Sequence, residues 1–581
     1  MKVRIGGASG FWGDSSVGAP QLVCLGHVDY LVFDYLAELT MSILAAAKGK
    51  DPKLGYATDF VGVTMKAILN DVVAQGIRVI SNAGGVNPHA CADAIRALAQ
   101  EQGVHVRIAV VEGDDVLPQI ESLRAEMRDL PPKVLTANAY FGALPIKAAL
   151  EAGAQIVVTG RCVDSAVTLG ALMHEFKWRS DDWDRLAQGS LAGHIIECGC
   201  QATGGLHTDW EDVPDWAHIG YPVVECDEDG SFVVTKPEGT GGLVNFATVA
   251  EQMLYEIGDP RRYLLPDVTC DFSRVTMSKI GEHRVKVEGA RGLAPGPQYK
   301  VSATYMDGFR CNAQLTIVGI DAVRKARRTG EAILERTGDI FLQRGLADYT
   351  RTNIEVLGSE LGNYGPHARH ADVREAVLRV AVMHPQKAAL EIFAREIAPA
   401  GTSWSPGTTG ADGRPKPAPA IKQYSFLIDK SRLHPRATIG DEVFDVDVPQ
   451  GQAAVAKPDE QPGEPPTAIE SETVEVPLVR LAWARSGDKG DTSNIGVIAR
   501  RAEWLPHLRA QLTPQRVREC LAHLVKGDVT RYDLPGIHAM NFVCSEALDG
   551  GGMASLRNDP LGKGMAQILL TMPVRVPANW F

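Results

Sequence analysis

Several segments of this chain gather residue types that do chemistry at useful spacing. In Thr159-Gly-Arg-Cys-Val-Asp-Ser165 a guanidinium, Arg161, stands three residues before a carboxylate, Asp164. Arginine offers a fork to a carboxylate or phosphate, and the aspartate can act as a general base or orient one. A structural Arg–Asp pair, with Ser165 in the first turn of a helix, is the alternative. Gly193 to Gly205 combines His194, Glu197, Cys198, Cys200 and Gln201. Cys198 and Cys200 are too close together for a usual structural zinc pair, and no matching Cys pair follows. An extended strand here would turn Glu197 away from both thiols, leaving it as the acid/base candidate of a substrate loop. Lys236 to Gly242 has a similar composition, and Glu238 reads as a solvated turn residue. Arg485-Ser-Gly-Asp-Lys-Gly-Asp-Thr-Ser-Asn494 is almost wholly polar. It can gather a phosphate with Arg485 and Lys489, or a hard cation with Asp488 and Asp491. A solvated hairpin would tolerate this composition, but Gly487 and Gly490 between charges point to a shaped backbone that includes Asn494. Asp549 to Asp559 adds three consecutive glycines and Arg557.

Two glycine loops could supply backbone amides to an anion. Gly6-Gly-Ala-Ser-Gly-Phe-Trp-Gly-Asp14 follows the first apolar run, and Gly6 and Gly10 would let a ligand approach the chain. The loop departs from the dinucleotide fingerprint in its glycine spacing and in the bulk of Phe11-Trp12, and no Walker-type sequence occurs. Neither NAD(P) nor ATP is expected, and no cofactor or resident metal is assigned. Ser81-Asn-Ala-Gly-Gly-Val-Asn-Pro88 offers Asn82 and the amides of Gly84 and Gly85 at a helix N-terminus. A plain turn with Asn87 as the helix cap explains half of those residues equally well.

The elements that must position these loops show an α/β alternation. Apolar runs at Val3–Ile5, Ile77–Ser81, Val104–Val111, Val134–Thr136 and Gln155–Thr159 read as strands. Pro88 to Gln102 and Pro145 to Glu151 read as helices between them, each closed by a glycine. This spacing predicts βαβ units on a mostly parallel sheet, with the loops after the strands along one edge, where such sheets hold ligands. From about residue 190 the pattern changes to a second mixed α/β lobe, with strands such as Pro222–Cys226, Phe232–Thr235, Val301–Tyr305 and Ala313–Val318. The expected division is therefore 1–448, with lobes 1–190 and 191–448, then a linker at 449–473 and a small α+β domain at 474–581. The linker reading rests on five prolines, five acidic residues, one lysine and no aromatic residue between Pro449 and Thr473. In the small domain, strands are expected at Val474–Ala484, Ile495–Ala499, Ala539–Cys544 and Gln567–Met572, with a helix at Thr513–Leu524.

Composition narrows the class. The chain has 581 residues, 45% of them hydrophobic, and a formal net charge of −12. The apolar fraction suits a globular protein, and the acidic balance argues against bulk electrostatic binding of nucleic acid while leaving room for a local basic pocket. The most apolar stretch, Leu31 to Ala47, carries Asp34 and Glu38 and so does not read as a membrane span. The start of the sequence lacks a signal-peptide core, and the ten cysteines are scattered. A soluble cytoplasmic protein with reduced thiols is the expectation.

Taken together, Gly6–Asp14, Asp34–Glu38, Ser81–Pro88, Thr159–Ser165, Gly193–Gly205, Lys236–Gly242, Arg485–Gly496 and Ala547–Lys563 resemble the acyclic terpene utilisation (AtuA-type) family. The resemblance covers nearly the whole chain. It implies a large N-terminal α/β domain and a C-terminal ferredoxin-like domain. It also implies work on branched terpenoid acids as CoA thioesters, alongside other acyl-CoA pathway enzymes, and transfers no catalytic residue set. The expected activity is therefore that of a lyase or hydratase on a branched 3-hydroxyacyl-CoA or enoyl-CoA. Asp164 and Glu197 are its acid/base candidates, and Arg161, Arg485 and Lys489 its cations. A metal-assisted hydrolase or lyase using Asp488, Asp491 and Glu197, or a non-catalytic binding or assembly subunit for a carboxylase, are the alternatives. Expected partners are an acyl-CoA and further copies of the chain, with association to other acyl-CoA enzymes and with neither nucleic acid nor membrane. The polar hairpin of the small domain is expected to close over the edge of the large sheet.

Overall fold

The computed structural model describes residues 2–369, 372–410, 413–452 and 473–580. Six short runs form the first strands: β1 (Lys2–Gly7), β2 (Tyr30–Phe33), β3 (Arg78–Ser81), β4 (Ile108–Glu112), β5 (Val134–Ala139) and β6 (Ile156–Thr159). Five of them lie side by side in the order β1-β2-β3-β6-β4, all parallel. Both faces of this block are covered, so its strands carry nearly continuous apolar runs. Leu31, Val79, Val110 and Val158 enter one core with the helices Gly18–Leu25, Lys66–Gln75 and Pro88–Glu101. Val32, Ile80, Ala109 and Val157 enter the other, beneath Leu144–Glu151, Ala166–Glu175, Trp183–Ile196 and Phe246–Leu254.

The expected parallel sheet is only the middle of a larger one. Val223–Asp227, Phe232–Thr235, Arg284–Glu288 and Thr276–Gly281 extend it antiparallel beyond β1. Arg436–Ile439 and Glu442–Asp445 do the same beyond β4. The main sheet thus draws strands from both sides of residue 190. The second α/β body is instead built around Gln298–Val318, a single strand where two separate ones were expected. It pairs antiparallel with β5, Glu375–His384, Thr408–Thr409 and Ala418–Asp429. The β5 run reads like its neighbours in sequence, but it leaves the parallel block for this sheet. Gly308 lets the long strand kink: its φ is +78°, and a side chain there would meet the His384 carbonyl at 2.8 Å. The helices Ala322–Gln343 and Lys387–Glu396 cover this sheet.

Most of the expected linker, 453–472, lies outside the described residues. After it, Ala482–Lys489, Thr492–Ala499, Ala539–Cys544 and Val529–Leu534 form an antiparallel sheet, and Thr473–Pro477 pairs with Pro573–Pro577. Thr513 caps the helix Pro514–Cys520 by accepting the Arg516 amide at 3.2 Å. The segment expected as a strand at Gln567–Met572 follows another path: Met565–Leu569 is helical and the strand begins at Pro573. Asn87 likewise is not a side-chain cap. Its amide donates to the carbonyls of Pro52 (2.9 Å) and Leu54 (2.7 Å), tying two loops together.

Candidate functional site

The C-terminal ends of β2, β3, β4 and β6 bring polar side chains to one edge of the parallel block. Asp34 follows β2 and Asn82 follows β3. The Asn82 amide donates to Asp34 Oδ1 at 2.5 Å, while its own oxygen accepts the Tyr35 amide at 2.7 Å. Burial and the neighbouring Asp164 raise the Asp34 pKa well above the carboxylate range, against the pull of Arg161 and Asn82.

Asp114 follows β4 and shapes the loop after β6. Its Oδ2 accepts the Arg161 amide (2.9 Å) and Asn138 Nδ2 (2.8 Å). Gly160 is required there, because a Cβ would lie 2.3 Å from Asp114 Oδ1. Burial pushes the Asp114 carboxyl up to about 6. Arg161 is buried, donates to Asp164 at 2.9 Å, and lies over the Tyr140 ring at 4.1 Å. Burial works against its charge, but Tyr140, Asp164, Glu38 and Asp34 outweigh it. The Tyr140 hydroxyl donates to Glu38 at 2.6 Å, and Gln423 donates to the same oxygen at 3.0 Å. Burial alone would raise Glu38; Arg161, Lys300 and Tyr140 instead hold it down at about 2. Lys300, on the long strand, reaches the same ring at 4.9 Å, and burial lowers its pKa.

Glu197 does not sit in a strand. It caps the C-terminus of Trp183–Ile196, one turn after His194, and its Oε1 lies 3.0 Å from His194 Nδ1. Burial raises the Glu197 pKa, helped by Asp164 and opposed by His194 and Lys489. Cys198 is pushed well above an ordinary thiol by burial and by Glu197 and Glu256, which disfavours its thiolate.

The C-terminal domain completes the edge. The segment Arg485–Asn494 is a strand–turn–strand hairpin, and it docks on the end of the helix Phe246–Leu254. Asn494 Nδ2 donates to the Leu254 carbonyl (2.7 Å) and to Asn541 (2.9 Å), while its oxygen accepts the Glu256 amide (3.0 Å). Asn541 in turn holds the carbonyls of Ile257 (2.7 Å) and Gly258 (2.8 Å). These bonds satisfy carbonyls that a helix end leaves unpaired. They also hold Glu256 at φ +60°, a left-handed conformation uncommon outside glycine. Lys489 at the hairpin tip lies 3.5 Å from Glu256. Burial opposes the Lys489 charge, but Tyr263, Glu256, Asp164 and Glu197 outweigh it and raise its pKa well above the ordinary value. Its side chain keeps 48% of its surface accessible to solvent. Lys563 joins from the same domain, donating to Tyr255 and to Asp488 (3.0 Å).

The structure therefore links Asn82, Arg161, Asp164, Glu197 and Lys489 in one network of hydrogen bonds and charge interactions, with Asp488 beside it through Lys563, and gives other expected site residues packing roles. Gly6 faces Leu22 and Val28. Gly10 lies against the backbone of Cys198 and Gly199, and Gly84 against the Thr159 carbonyl; a Cβ on Gly85, at φ +55°, would meet Leu44. Arg485 is buried, donates to Gln201 and to the Gly205 carbonyl (3.3 Å), and covers the Tyr255 ring, so it is not a free phosphate ligand. Asn494 is an interdomain clasp. Asp491 accepts the amides of Leu548 (3.0 Å) and Gly550 (2.9 Å), away from Glu197's neighbours. Among the described residues no group of three or more His, Cys, Asp or Glu is placed to hold a metal ion. The Asp549–Asp559 loop docks onto the second sheet, where Arg351, Asn353 and Arg379 donate to its Ala554 and Leu556 carbonyls. Two open clefts of about 700 and 550 Å³, near Tyr364, Arg369 and Pro573, lie apart from this constellation. No helix among the described residues is long and apolar enough to cross a membrane.

Asp34, Glu38, Tyr140, Lys300, Glu256 and Lys563 were not singled out individually by the sequence reasoning. The available signal was the acidic residue directly after the β2 run. The family described as acyclic terpene utilisation family protein AtuA matches residues 3–439, and the AtuA ferredoxin-like domain matches residues 476–575. No curated protein and no solved structure matches the chain.

Proposed function

Because the chain belongs to the acyclic terpene utilisation family, we propose that it is an acyl-CoA enzyme of branched terpenoid catabolism, a lyase or hydratase acting on a branched 3-hydroxyacyl-CoA or enoyl-CoA. The observation that carries this reading is the interdomain constellation: the hairpin of one domain sets Lys489 3.5 Å from Glu256 of the other, where Asp164 and Glu197 add to the field that favours its charge. Both reactions pass through enolate-like charge on the thioester oxygen. Fixed cations aimed at that charge are worth most in a cleft partly shielded from water. Lys489 and Arg161 fill this role, and both stay charged. Glu197 takes or returns the proton. In a lyase the proton comes from the 3-hydroxyl, the C2–C3 bond breaks, and its electrons form the enolate. Asp34, whose burial favours its acid form, then protonates C2. In a hydratase working towards the enoyl thioester, Glu197 removes the C2 proton and Asp34 protonates the departing 3-hydroxyl.

The test is a thermal-shift panel on the full chain with CoA, acetyl-CoA, a branched 3-hydroxyacyl-CoA, its free acid and divalent metals. An acyl-CoA at 100 times its Kd adds ~2.7 kcal/mol and a clear rise in melting temperature. Lys489→Ala weakens that rise, while Glu197→Gln spares binding and removes turnover. No shift with any acyl-CoA at millimolar concentration refutes the reading. A shift with metal alone refutes it in favour of metal-assisted hydrolysis.

A further inference from the structure

The two nitrogens of His194 have partners of different character. Nε2 lies 3.1 Å from the Met253 carbonyl, and Nδ1 lies 3.0 Å from Glu197 Oε1. Met253 is in the last turn of Phe246–Leu254, where carbonyls lack helical partners. A carbonyl can only accept, so Nε2 carries a hydrogen. The contact between Nδ1 and Oε1 then needs a proton of its own, since two lone pairs at that distance would repel. His194 is sealed, with 3% of its side chain accessible, while Glu197 keeps 11%. Among the described residues no hydrogen bond reaches the second carboxylate oxygen, Oε2; the Glu197 side chain makes only the Oε1 contact.

We propose that His194 is a positioning residue, held as an imidazolium by Met253 and Glu197, that ties down Oε1 and leaves Oε2 as the oxygen exchanging protons with substrate. The inference rests on the acyl-CoA reading for the substrate, but not for the protonation state itself. In the forward step Oε2 accepts a proton from a C–H or O–H bond, whose electron pair stays with the substrate. His194 keeps both of its protons, so Glu197 becomes a neutral acid hydrogen-bonded to an imidazolium. The reverse step returns the same proton. The helix end carrying Met253 favours a cation at His194. The charged and titratable groups interacting with the pair are Asp164, Asp34, Lys489, Cys198 and Tyr263. Burial and Lys489 oppose the His194 charge, and burial and Asp164 disfavour the Glu197 charge. The direct contact to Glu197 decides the balance in favour of the imidazolium.

The experiment is nitrogen NMR of the full chain labelled with ¹⁵N-histidine, without ligand, with the His194 signals assigned by their loss in His194→Gln. Between pH ~5.5 and ~8.5, where free imidazole titrates, His194 should show both nitrogens protonated and stay flat while exposed histidines move. In Glu197→Gln the amide donates to Nδ1, so the His194 spectrum should change to the neutral form protonated at Nε2 alone. A wild-type His194 that titrates like free imidazole, or that shows an unprotonated Nδ1 at pH 7, overturns the proposal. The wild-type spectrum decides even if Glu197→Gln does not fold. A failed acyl-CoA shift alongside the expected spectrum would leave the proton arrangement standing and reject only the substrate.

Discussion

Asn494→Ala removes the clasp that holds the C-terminal domain on the helix end at Leu254. Three buried hydrogen bonds go at once: to the Leu254 carbonyl, to Asn541, and from the Glu256 amide. A buried group left unpaired costs ~1–3 kcal/mol, so the gross loss for the three is ~3–9 kcal/mol. Release of Glu256 from its left-handed backbone returns ~1–2 kcal/mol of that. A net local destabilisation of at least ~1 kcal/mol remains, which corresponds to ~5-fold or still faster opening. Hydrogen exchange followed by mass spectrometry reads this directly in peptides covering 250–262, with peptides from β2 and β3 as internal controls. Asn541→Ala should accelerate the same peptides, because it frees the Ile257 and Gly258 carbonyls. If exchange around 254–258 stays within ~3-fold of wild type in Asn494→Ala, the clasp does not hold this segment and the reasoning fails.

The lowered pKa of Glu38, about 2, gives stability that is present above its unfolded value of ~4.3 and lost as the pH falls from there towards 2. Urea unfolding of Glu38→Gln should therefore show a deficit of ~3 kcal/mol at neutral pH that closes in acid, and a deficit constant with pH would rule this out. Lys430 is sealed beneath Pro266, its ammonium 2.7 Å from that carbonyl, and burial lowers its pKa to about 8. Between 8 and the unfolded ~10.4 the unfolded chain binds more protons, so wild-type stability should rise with pH by up to ~3 kcal/mol relative to Lys430→Met. Parallel alkaline limbs for the two proteins would show that the amine is equally protonated in both states.

The parallel block was legible because strands buried on both faces read as unbroken apolar runs bounded by glycine loops. That same signal could not say which neighbour a strand would choose. β5 opens on an apolar pair, Val134-Leu135, and reads as a strand like β6, yet it pairs with Gln298–Val318, because pairing partners far apart in sequence leave no local mark. β2 was hidden for a different reason. Its four residues and the helix Glu38–Lys50 merge into one apolar stretch, so the loop between them, with Asp34 at its start, was not visible as a loop. The site was legible where chemistry-bearing residues cluster locally, as at Arg161–Asp164 and His194–Glu197. Lys300 and Glu256 lie in segments without such clustering and join the cleft only through tertiary packing. Glycine richness was a poor guide: at Gly10 and Gly84 the missing side chain makes room for a neighbouring loop, not for a ligand.

Two domains serve this cleft because neither alone presents its full complement of charges. The sheet edge supplies Asp34, Arg161, Asp164 and Glu197, but its cations Arg161 and Lys300 crowd around one ring, Tyr140. Positive charge from another direction comes with the hairpin tip, which sets Lys489 3.5 Å from Glu256. The hairpin cannot hold that position by its tip alone, since a lysine side chain with 48% of its surface accessible is a weak tether. The buried asparagine pair at its base fixes it, and the latch of Arg351, Asn353 and Arg379 on the Ala554–Leu556 carbonyls fixes the far side of the domain. Placement of one ammonium therefore depends on two buried polar contacts distant from it. A ligand that bridges Lys489 and Arg161 would in turn slow the exchange of the Leu254–Gly258 amides, because binding and domain docking draw on the same geometry.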